Sequence, residues 1–408
     1  MDGSIPSSEG VGLRRAELSP PPELQARTER TRPAEPGAPL PRISLELSRT
    51  CNLRCTFCYA EASPDHRSGL SDTEVRSVID EAVALGATAV SIVGGGESLL
   101  RRSILTDGES CIDYANGLGC YCYVYTNGTL VDDRAAQWLQ RRDVSVVGKL
   151  LSLDDQVQDE LVGVAGASAR MRRGIDALLA AGFGGAGPCR FALESVITKK
   201  NYDELPAVWR FMRQRNIVPE VEIPTPQGRA VSHADALFFA DDEAPERYRQ
   251  LFEELLRIDR SEFGYDWIPH PPFVACSCQL YYSNCYVNDR GGVQPCASLN
   301  REYGILRIGP RRERGRPLAD IVQSPEFRQL RRIRKHLKGI CRDCDLLHTC
   351  YGCRAAAWHK TGDLYAEDPV CWRHRPPADD GPSLACSARD PAPSNAAPPS
   401  ARAHGSRS

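Results

Sequence analysis

Residues 43–58 read ISLELSRTCNLRCTFC, and this stretch decides how the chain is interpreted. Its first five residues alternate between apolar and polar side chains, a pattern typical of a β-strand with one buried face. Three cysteines, Cys51, Cys55 and Cys58, follow within eight residues. Thiols this close together in a loop converge easily on one metal centre. The stretch therefore predicts a strand that leads directly into a metal-binding loop.

Length and composition narrow the class of protein. The chain has 408 residues, 41% of them apolar, and a formal net charge of −2, which argues against a nucleic-acid partner. No apolar run approaches the roughly 18 residues of a membrane span, and no secretory signal is evident at the N-terminus. We therefore expect a cytoplasmic protein. Its 17 cysteines then indicate metal binding or catalysis, because disulfides are rare in that compartment.

Changes in composition divide the chain into five parts. The ends are rich in Pro, Arg and Ala without apolar periodicity, which predicts a disordered leader at 1–40 and a disordered tail at 376–408. Between them we predict an α/β core at 41–235, a helical linker at 236–270 and a small cysteine-rich domain at 271–375. The short, loop-like sequence of this last part predicts organisation by metal rather than by a large apolar core.

Strand-like and helix-like segments alternate through the core, and this predicts a parallel α/β sheet or partial barrel. In such folds ligands collect at the C-terminal ends of the strands, where the motifs CNLRC, GGGE, TNG and SLD all stand. The predicted strands lie in 43–47, 88–96, 120–128, 144–154, 189–198 and 218–228. The predicted helices lie in 71–86, 134–142, 171–182 and 202–216.

The three-cysteine loop leaves room for a ligand that is not protein. A [4Fe–4S] cluster has four irons, each wanting a ligand, so three cysteines leave one iron open. An open metal position is what catalysis needs. The alternatives are three buried free cysteines or a zinc site, although no nearby histidine or cysteine completes the latter.

The spacing C-x3-C-x2-C, with Phe57 just before the last cysteine, resembles the radical S-adenosylmethionine (SAM) superfamily. The resemblance implies a partial (β/α)6 TIM-type barrel, with the open iron chelated by the amino and carboxylate groups of SAM. GGGE matches the family's Gly-Gly-Glu motif, and the end of the fourth strand matches positions that often bind the SAM ribose. The resemblance thus implies SAM contacts from Gly95, Gly96, Glu97, Ser152, Asp154 and, as a looser match, Thr198.

A second set of cysteines lies in the C-terminal part. Residues 341–353 read CRDCDLLHTCYGC, and with the upstream GGVQPC they resemble the SPASM domain of radical SAM enzymes, which carries auxiliary [4Fe–4S] clusters. A single auxiliary cluster with spare thiols, or one zinc ion, are the alternatives, and Cys276 competes with Cys278 as a ligand. By resemblance, one cluster is held by Cys278, Cys285, Cys296 and Cys353, and the other by Cys341, Cys344, Cys350 and Cys371.

The resemblance also implies the chemistry. A reductant such as flavodoxin or ferredoxin supplies an electron, SAM is cleaved to a 5′-deoxyadenosyl radical, and this radical removes hydrogen from the substrate. The chain resembles the compact enzymes that tailor aminoglycoside and nucleoside antibiotics. We therefore expect a carbohydrate-containing small molecule that is oxidised, epimerised or decarboxylated. A SPASM-type peptide or protein maturase and a non-catalytic iron–sulfur electron-transfer protein are the alternatives.

Three side chains are candidates for substrate chemistry. Lys149 and Glu194 are polar groups in otherwise apolar strands and are candidates for acid–base work, with an internal ion pair or a SAM contact as the alternative. Cys276 is the candidate for the hydrogen donor that an epimerase needs. The basic stretch RQLRRIRKHLK at 328–338 is the best support for a nucleic-acid partner, but a solvated helix face explains it more simply.

Overall fold

The computed structural model describes residues 40–184 and 190–373. The predicted leader (apart from Leu40), the predicted tail and Cys189 lie outside these residues. The described strands are β1 Arg42–Glu46, β2 Ala89–Val93, β3 Tyr121–Tyr125, β4 Ser145–Lys149, β5 Phe191–Val196, β6 Val218–Glu222, β7 Asn284–Val287, β8 Gly292–Gln294 and β9 Gly304–Ile305. The helices are α1 Asp72–Ala84, α2 Cys111–Gly117, α3 Asp133–Arg141, α4 Asp155–Val162, α5 Ala167–Ala180, α6 Leu205–Arg213, α7 Arg229–Ser232, α8 Ala234–Leu237, α9 Ala244–Ile258, α10 Leu280–Ser283, α11 Leu318–Val322, α12 Pro325–Arg331, α13 Gly339–Arg342 and α14 Arg354–Thr361.

The strands form one sheet in the order β6-β5-β4-β3-β2-β1-β7-β8-β9. Strands β1 to β6 pair with their neighbours in parallel, and the sheet is open, with β6 and β9 at its edges. The α/β fold and the partial barrel are therefore confirmed. Because all six strands run in parallel, their C-terminal ends meet at one edge of the sheet, where the predicted motifs lie.

Helix α1 shows how the local sequence sets an element. Ser71 caps it by accepting a hydrogen bond from the Glu74 amide, and the Glu74 carboxylate accepts one from the Ser71 amide in return. These two reciprocal hydrogen bonds form a capping box. Val75, Val78 and Ile79 are buried on the face that packs against the sheet. The chain then turns at Gly86, which has a φ of 91°.

The region after β4 differs from the prediction. One helix was expected at 171–182, but α5 begins earlier and is preceded by α4. The Asp154 carboxylate caps α4 by accepting from the amides of Gln156 and Val157, and Gly163 ends it with a φ of 70°. A two-turn helix with few apolar residues gives little periodic signal, so its sequence pattern did not reveal it.

The sheet continues into the cysteine-rich part of the chain. Strand β7 pairs in parallel with the outer side of β1, and β8 and β9 extend it in antiparallel fashion. Ile43 of β1 and Val287 of β7 lie in the same hydrophobic cluster. The barrel and the cysteine-rich part thus share one apolar core, which the loop-like sequence after residue 270 did not predict. None of the described helices is long and apolar enough to cross a membrane.

Candidate active site and auxiliary cluster sites

The three predicted cluster ligands lie in the loop that follows β1. The loop is fastened to the end of α4, where the amides of Arg54 and Thr56 donate to carbonyl oxygens at 3.0 and 2.9 Å. Burial raises the pKa of the Cys51 thiol to about 11 and also raises that of Cys55. Binding as thiolates therefore depends on a positively charged metal centre, which a cluster iron provides.

Residues after β6 clamp this loop from the other side. The Arg229 guanidinium donates to the carbonyl oxygens of Cys55 and Ala62, each at 2.7 Å, and the Arg229 amide donates to that of Cys58 at 2.9 Å. Gly228, at a φ of 56°, lies so close that a Cβ would collide with the backbone of Cys58. The segment that follows β6 thus contacts the three-cysteine loop that follows β1.

The GGGE turn after β2 requires its glycines. A Cβ on Gly95 would collide with the Glu46 carboxylate, and one on Gly96 would collide with the Thr50 carbonyl oxygen. The Gly96 and Glu97 amides donate to the carbonyl oxygens of Ser48 and Thr50 at 2.8 and 2.9 Å. The turn is therefore packed directly against the segment between β1 and the first cysteine, which places it beside the predicted cluster.

The Glu97 side chain, buried in this turn, is held by protein groups. Its carboxylate accepts from the Leu99 amide at 3.0 Å, the Thr126 hydroxyl at 2.7 Å and the Asn127 amide at 2.6 Å. Asn127 in turn points its side-chain amide at the Cys51 sulfur, at 3.9 Å. Glu97 thus joins the GGGE turn to the TNG turn next to the cysteines. Its predicted contact with SAM stays a prediction.

The other residues predicted to contact SAM also form hydrogen bonds within the protein. The Ser152 hydroxyl donates to Glu204, whose carboxylate also accepts from the Asp154 amide at 3.1 Å. The Thr198 hydroxyl donates to the Asn201 side-chain oxygen at 2.9 Å. These contacts order the loops after β4 and β5 at the same edge of the sheet. A role for these residues in binding the ribose stays a prediction.

Lys149, the last residue of β4, lies directly opposite Glu194 of β5. Lys149 Nζ is 2.7 Å from Glu194 Oε1 and 5.8 Å from the centre of the Phe57 ring in the three-cysteine loop. Glu222, at the end of β6, shares a hydrogen bond with Glu194. Burial and the neighbouring Glu194 raise the pKa of Glu222, whereas the Lys149 ammonium lowers that of Glu194. The three side chains form a carboxyl–carboxylate–ammonium row (Glu222, Glu194, Lys149).

The four cysteines predicted for the second auxiliary cluster surround one cavity. Cys341, Cys344, Cys350 and Cys371 all line it, together with His270. Nowhere in the described part of the chain do three or more Cys, His, Asp or Glu side chains converge closely enough to hold a single metal ion. Four cysteines that line one cavity without converging on a single ion are the ligand set of a polynuclear cluster such as [4Fe–4S].

The other predicted set lies nearer the barrel. Cys278, Cys296 and Cys353 are within electrostatic range of one another, and Cys285 is buried in β7. The Tyr351 hydroxyl donates to the Cys278 sulfur at 3.1 Å. Cys276 lies two residues before Cys278 in the segment that follows β6, and its proposed role as hydrogen donor stays a prediction.

Asp368 lies between the two auxiliary sets. Its carboxylate accepts from the Cys353 amide at 2.6 Å, and its own amide donates to the Cys341 sulfur at 3.4 Å. The buried Arg354 guanidinium also approaches the Cys341 sulfur, at 3.8 Å. Asp368 thus connects one predicted ligand set to the other. Hydrogen bonds of this kind to cluster ligands tune reduction potentials.

Sequence reasoning missed several residues of this site. Glu222, Gln227 and Arg229 were not singled out, although they follow the sixth predicted strand and the strand-end rule applied there as well. Gln227 is 4% exposed, and neither polar atom of its side chain has a hydrogen-bond partner among the described residues. Its burial and missing partners depend on the tertiary structure, so no sequence pattern indicated them.

The observed site fits the cofactors that the sequence implied. The three-cysteine loop lies against glycines that have no room for a side chain, and four further cysteines line one cavity. Residues 45–210 match the radical SAM superfamily, and residues 278–345 match SPASM, described as an iron–sulfur cluster-binding domain.

Known proteins resemble the chain along most of its length. It is 28% identical over 383 residues to the AdoMet-dependent heme synthase of Oleidesulfovibrio alaskensis. The matched region covers 85% of this chain and 92% of that protein. It is also 28% identical over 359 residues to the PqqA peptide cyclase of a Methylobacterium species, which covers 82% and 87%.

A solved structure shares the fold. Native anSMEcpe with bound AdoMet superposes with a TM-score of 0.58 at 15% identity, covering 81% of this chain and 93% of that one. The chain therefore contains a radical SAM domain followed by a SPASM domain, and its cofactors are a [4Fe–4S] cluster with SAM and auxiliary iron–sulfur clusters.

Proposed function

We propose that the protein is a radical SAM enzyme that oxidises a peptide or protein substrate inside the barrel. The observation that carries the proposal is the position of the carboxyl–carboxylate–ammonium row. At one end Lys149 is within electrostatic range of Cys55, and at the other Glu222 is within range of Cys278. Ionisable groups that share a proton thus lie between the SAM cluster loop and an auxiliary ligand set, where a substrate radical would form and lose its electron.

The row has a defined part in this reaction. When bound, SAM and its cluster would supply the radical that takes a hydrogen atom from the substrate, and an auxiliary cluster would take up the remaining electron. A proton must then leave the substrate to complete a two-electron oxidation. Glu194 is the ionised carboxylate of the row and accepts this proton, while Lys149 orients it. Glu222 holds the shared proton next to it.

The substrate class is supported by the relatives rather than by the site alone. A peptide cyclase at 28% identity matches 82% of the chain. The sugar or nucleoside substrate predicted from the sequence has no such support from the relatives named above and stays a prediction. An iron porphyrin is a second candidate, because a heme synthase matches at the same identity over 85% of the chain.

The test is substrate-stimulated cleavage of SAM. The full chain, reconstituted anaerobically with iron and sulfide, is given a reductant, SAM and one of three panels: peptides, iron coproporphyrins, or aminosugars and nucleosides. We expect 5′-deoxyadenosine to rise with a peptide, together with a peptide product lacking two hydrogen atoms, both measured by mass spectrometry. Cys55→Ala serves as the inactive blank, and Cys122→Ala, which changes a buried core thiol, serves as the matched control.

Each other outcome contradicts the proposal in a different way. Stimulation only by porphyrins moves the function to the second candidate, and stimulation only by sugars restores the expectation from the sequence. No 5′-deoxyadenosine from any panel at full iron loading favours the electron-transfer alternative.

A further inference from the structure

The proposed function leaves the basic stretch 328–338 unused. In the structure this stretch forms the end of α12 and a 3₁₀ turn at Ile333–His336. Arg328, Arg332 and Lys335 are exposed, as a solvated face predicts. Arg331 and Arg334 differ, because both turn inward toward the auxiliary cysteines nearer the barrel. This inward turn argues against the whole stretch being a solvated or phosphate-binding surface.

Arg331 is a half-buried cation without a carboxylate partner. Its guanidinium donates to the Tyr281 carbonyl oxygen at 2.9 Å and lies 5.1 Å from the centre of the Phe327 ring. No carboxylate in the described ranges pairs with it, and Cys285 is its strongest anionic neighbour. Burial lowers the pKa of Arg331 to about 10, so the group stays protonated at neutral pH. Because this partly buried charge has no counter-charge in the described part of the protein, an anion nearby would stabilise it.

Arg334 is connected through Tyr351 to Cys278, which belongs to the same predicted ligand set as Cys285. Its guanidinium lies 4.4 Å from the Tyr282 ring centre and 5.8 Å from that of Tyr351, and its Nε finds no hydrogen-bond partner among the described residues. The Tyr351 hydroxyl in turn donates to the Cys278 sulfur at 3.1 Å. A cation on the ring face makes the hydroxyl a better donor to that sulfur. Both arginines thus act on one set of ligands.

We propose that Arg331 and Arg334 stabilise the reduced state of the cluster held by the set Cys278, Cys285, Cys296 and Cys353, and so raise its reduction potential. Four thiolates give such a cluster a net negative charge, and reduction adds one more negative charge. Positive charge nearby in a poorly solvated site therefore favours the reduced form. This role makes the cluster a better electron acceptor, and it holds whatever the substrate is.

The test is a redox titration followed by electron paramagnetic resonance (EPR) of the full chain. Cys51, Cys55 and Cys58 are all changed to Ala, so that only auxiliary clusters contribute to the spectrum. In this background Arg331→Gln removes the charge of Arg331. Arg332→Gln removes the exposed charge next to it in the sequence and is the matched control. We expect Arg331→Gln to shift one auxiliary midpoint to more negative potential. At the unmutated midpoint, the oxidised-to-reduced ratio should rise about tenfold, which is about 59 mV for one electron.

Further variants keep the result decisive. Arg331→Lys keeps the charge and should retain most of the potential, whereas Arg334→Gln should give a smaller shift of the same sign. If Arg331→Gln does not fold, the Arg334→Gln titration decides. Unchanged auxiliary potentials at full iron content, or equal shifts in the Arg332→Gln control, would overturn the proposal. Because the readout is a potential measured without SAM or substrate, it is separate from any failure of the proposed function.

Discussion

Glu97 connects two strand-end turns through a single carboxylate, and its replacement tests that connection. Gln at this position keeps one oxygen but turns an NH2 group toward at least one of the three donors, leaving a buried donor unsatisfied. We expect Glu97→Gln to lower the free energy of unfolding by about 1–3 kcal/mol, measured by anaerobic chemical denaturation of the cluster-loaded protein. The exposed Glu109→Gln should change it by less than about 0.5 kcal/mol. Equal effects of the two variants would show that the carboxylate does not hold the turns together.

Cys55 is one of three ligands for which the protein offers no substitute. We expect Cys55→Ala to lose about four irons per chain and all SAM cleavage, because the two remaining thiols do not hold a cubane cluster. Iron and sulfide analysis with EPR of the reduced protein measures this loss. Cys122→Ala, which removes a buried thiol packed in the barrel core, should retain its iron. Full iron content in Cys55→Ala would remove this residue from the ligand set.

At the level of single residues, the sequence predicted the residues whose role follows from residue type and spacing. The cysteines and the bare glycines of GGGE belong to this class. Glu222 and Arg331 do not, because their importance comes from neighbours that are distant in sequence. From the sequence alone, a glutamate or arginine is expected to be an exposed charge.

The segment after β6 acts on the three-cysteine loop as a clamp, and Arg229 provides its side-chain contacts. Arg229→Ala removes two hydrogen bonds to loop carbonyls, worth about 0.5–1.5 kcal/mol each. We therefore expect the SAM-site cluster to release iron to a chelator about tenfold faster, followed by the loss of its absorbance under anaerobic conditions. Arg54→Ala, in the same loop but with an exposed side chain paired to Asp65, is the matched control. Identical release rates would show that the backbone alone secures the loop.

The carboxyl–carboxylate–ammonium row on β4, β5 and β6 predicts that the stability of the protein depends on pH. The pKa of Glu222 is raised above its ordinary value of 4.5, so the folded state binds this proton more tightly than the unfolded state does. Its contribution to stability is complete below pH 4.5 and is lost as the pH rises through the raised value. The permanently neutral Glu222→Gln should therefore flatten the fall in melting temperature as the pH rises above 4.5, with Glu109→Gln as control. A slope equal to that of the unmutated protein would show that Glu222 is ionised throughout this range.

For the whole molecule, six strands and their parallel order followed from the alternation of segments and from the motifs at their ends. Strand β7 did not, because four residues, NCYV, carry little periodic signal and their partner strand lies about 240 residues away in the sequence. Its pairing with β1 depends on the whole chain having folded. The sequence therefore suggested a separate cysteine-rich part, where the structure has a sheet and a core that continue across the boundary.

This continuity predicts that the barrel and the SPASM region unfold together. Strand β1 pairs with β2 on one side and β7 on the other, and the Ser44 hydroxyl donates to the Asn284 side-chain oxygen at 2.8 Å. The Tyr286 hydroxyl donates to the buried Glu46 carboxylate, at the strand end that leads to the cysteines. Losing β7 would leave an open sheet edge and remove one hydrogen bond from the buried Glu46 carboxylate, which would keep only its ion pair with Arg49 among the described residues.

We therefore expect a single denaturant midpoint for the amides of β1 and of β7–β8, measured by hydrogen exchange and mass spectrometry on the cluster-loaded protein. A chain ending at residue 270 should not fold, because the apolar surface covered by Val287 and Val293 would be exposed to water. Two separate midpoints, or a soluble and cooperative 1–270 fragment, would instead make the cysteine-rich part an independent module. One midpoint means that damage to an auxiliary cluster also loosens the strand that presents the SAM-site cysteines.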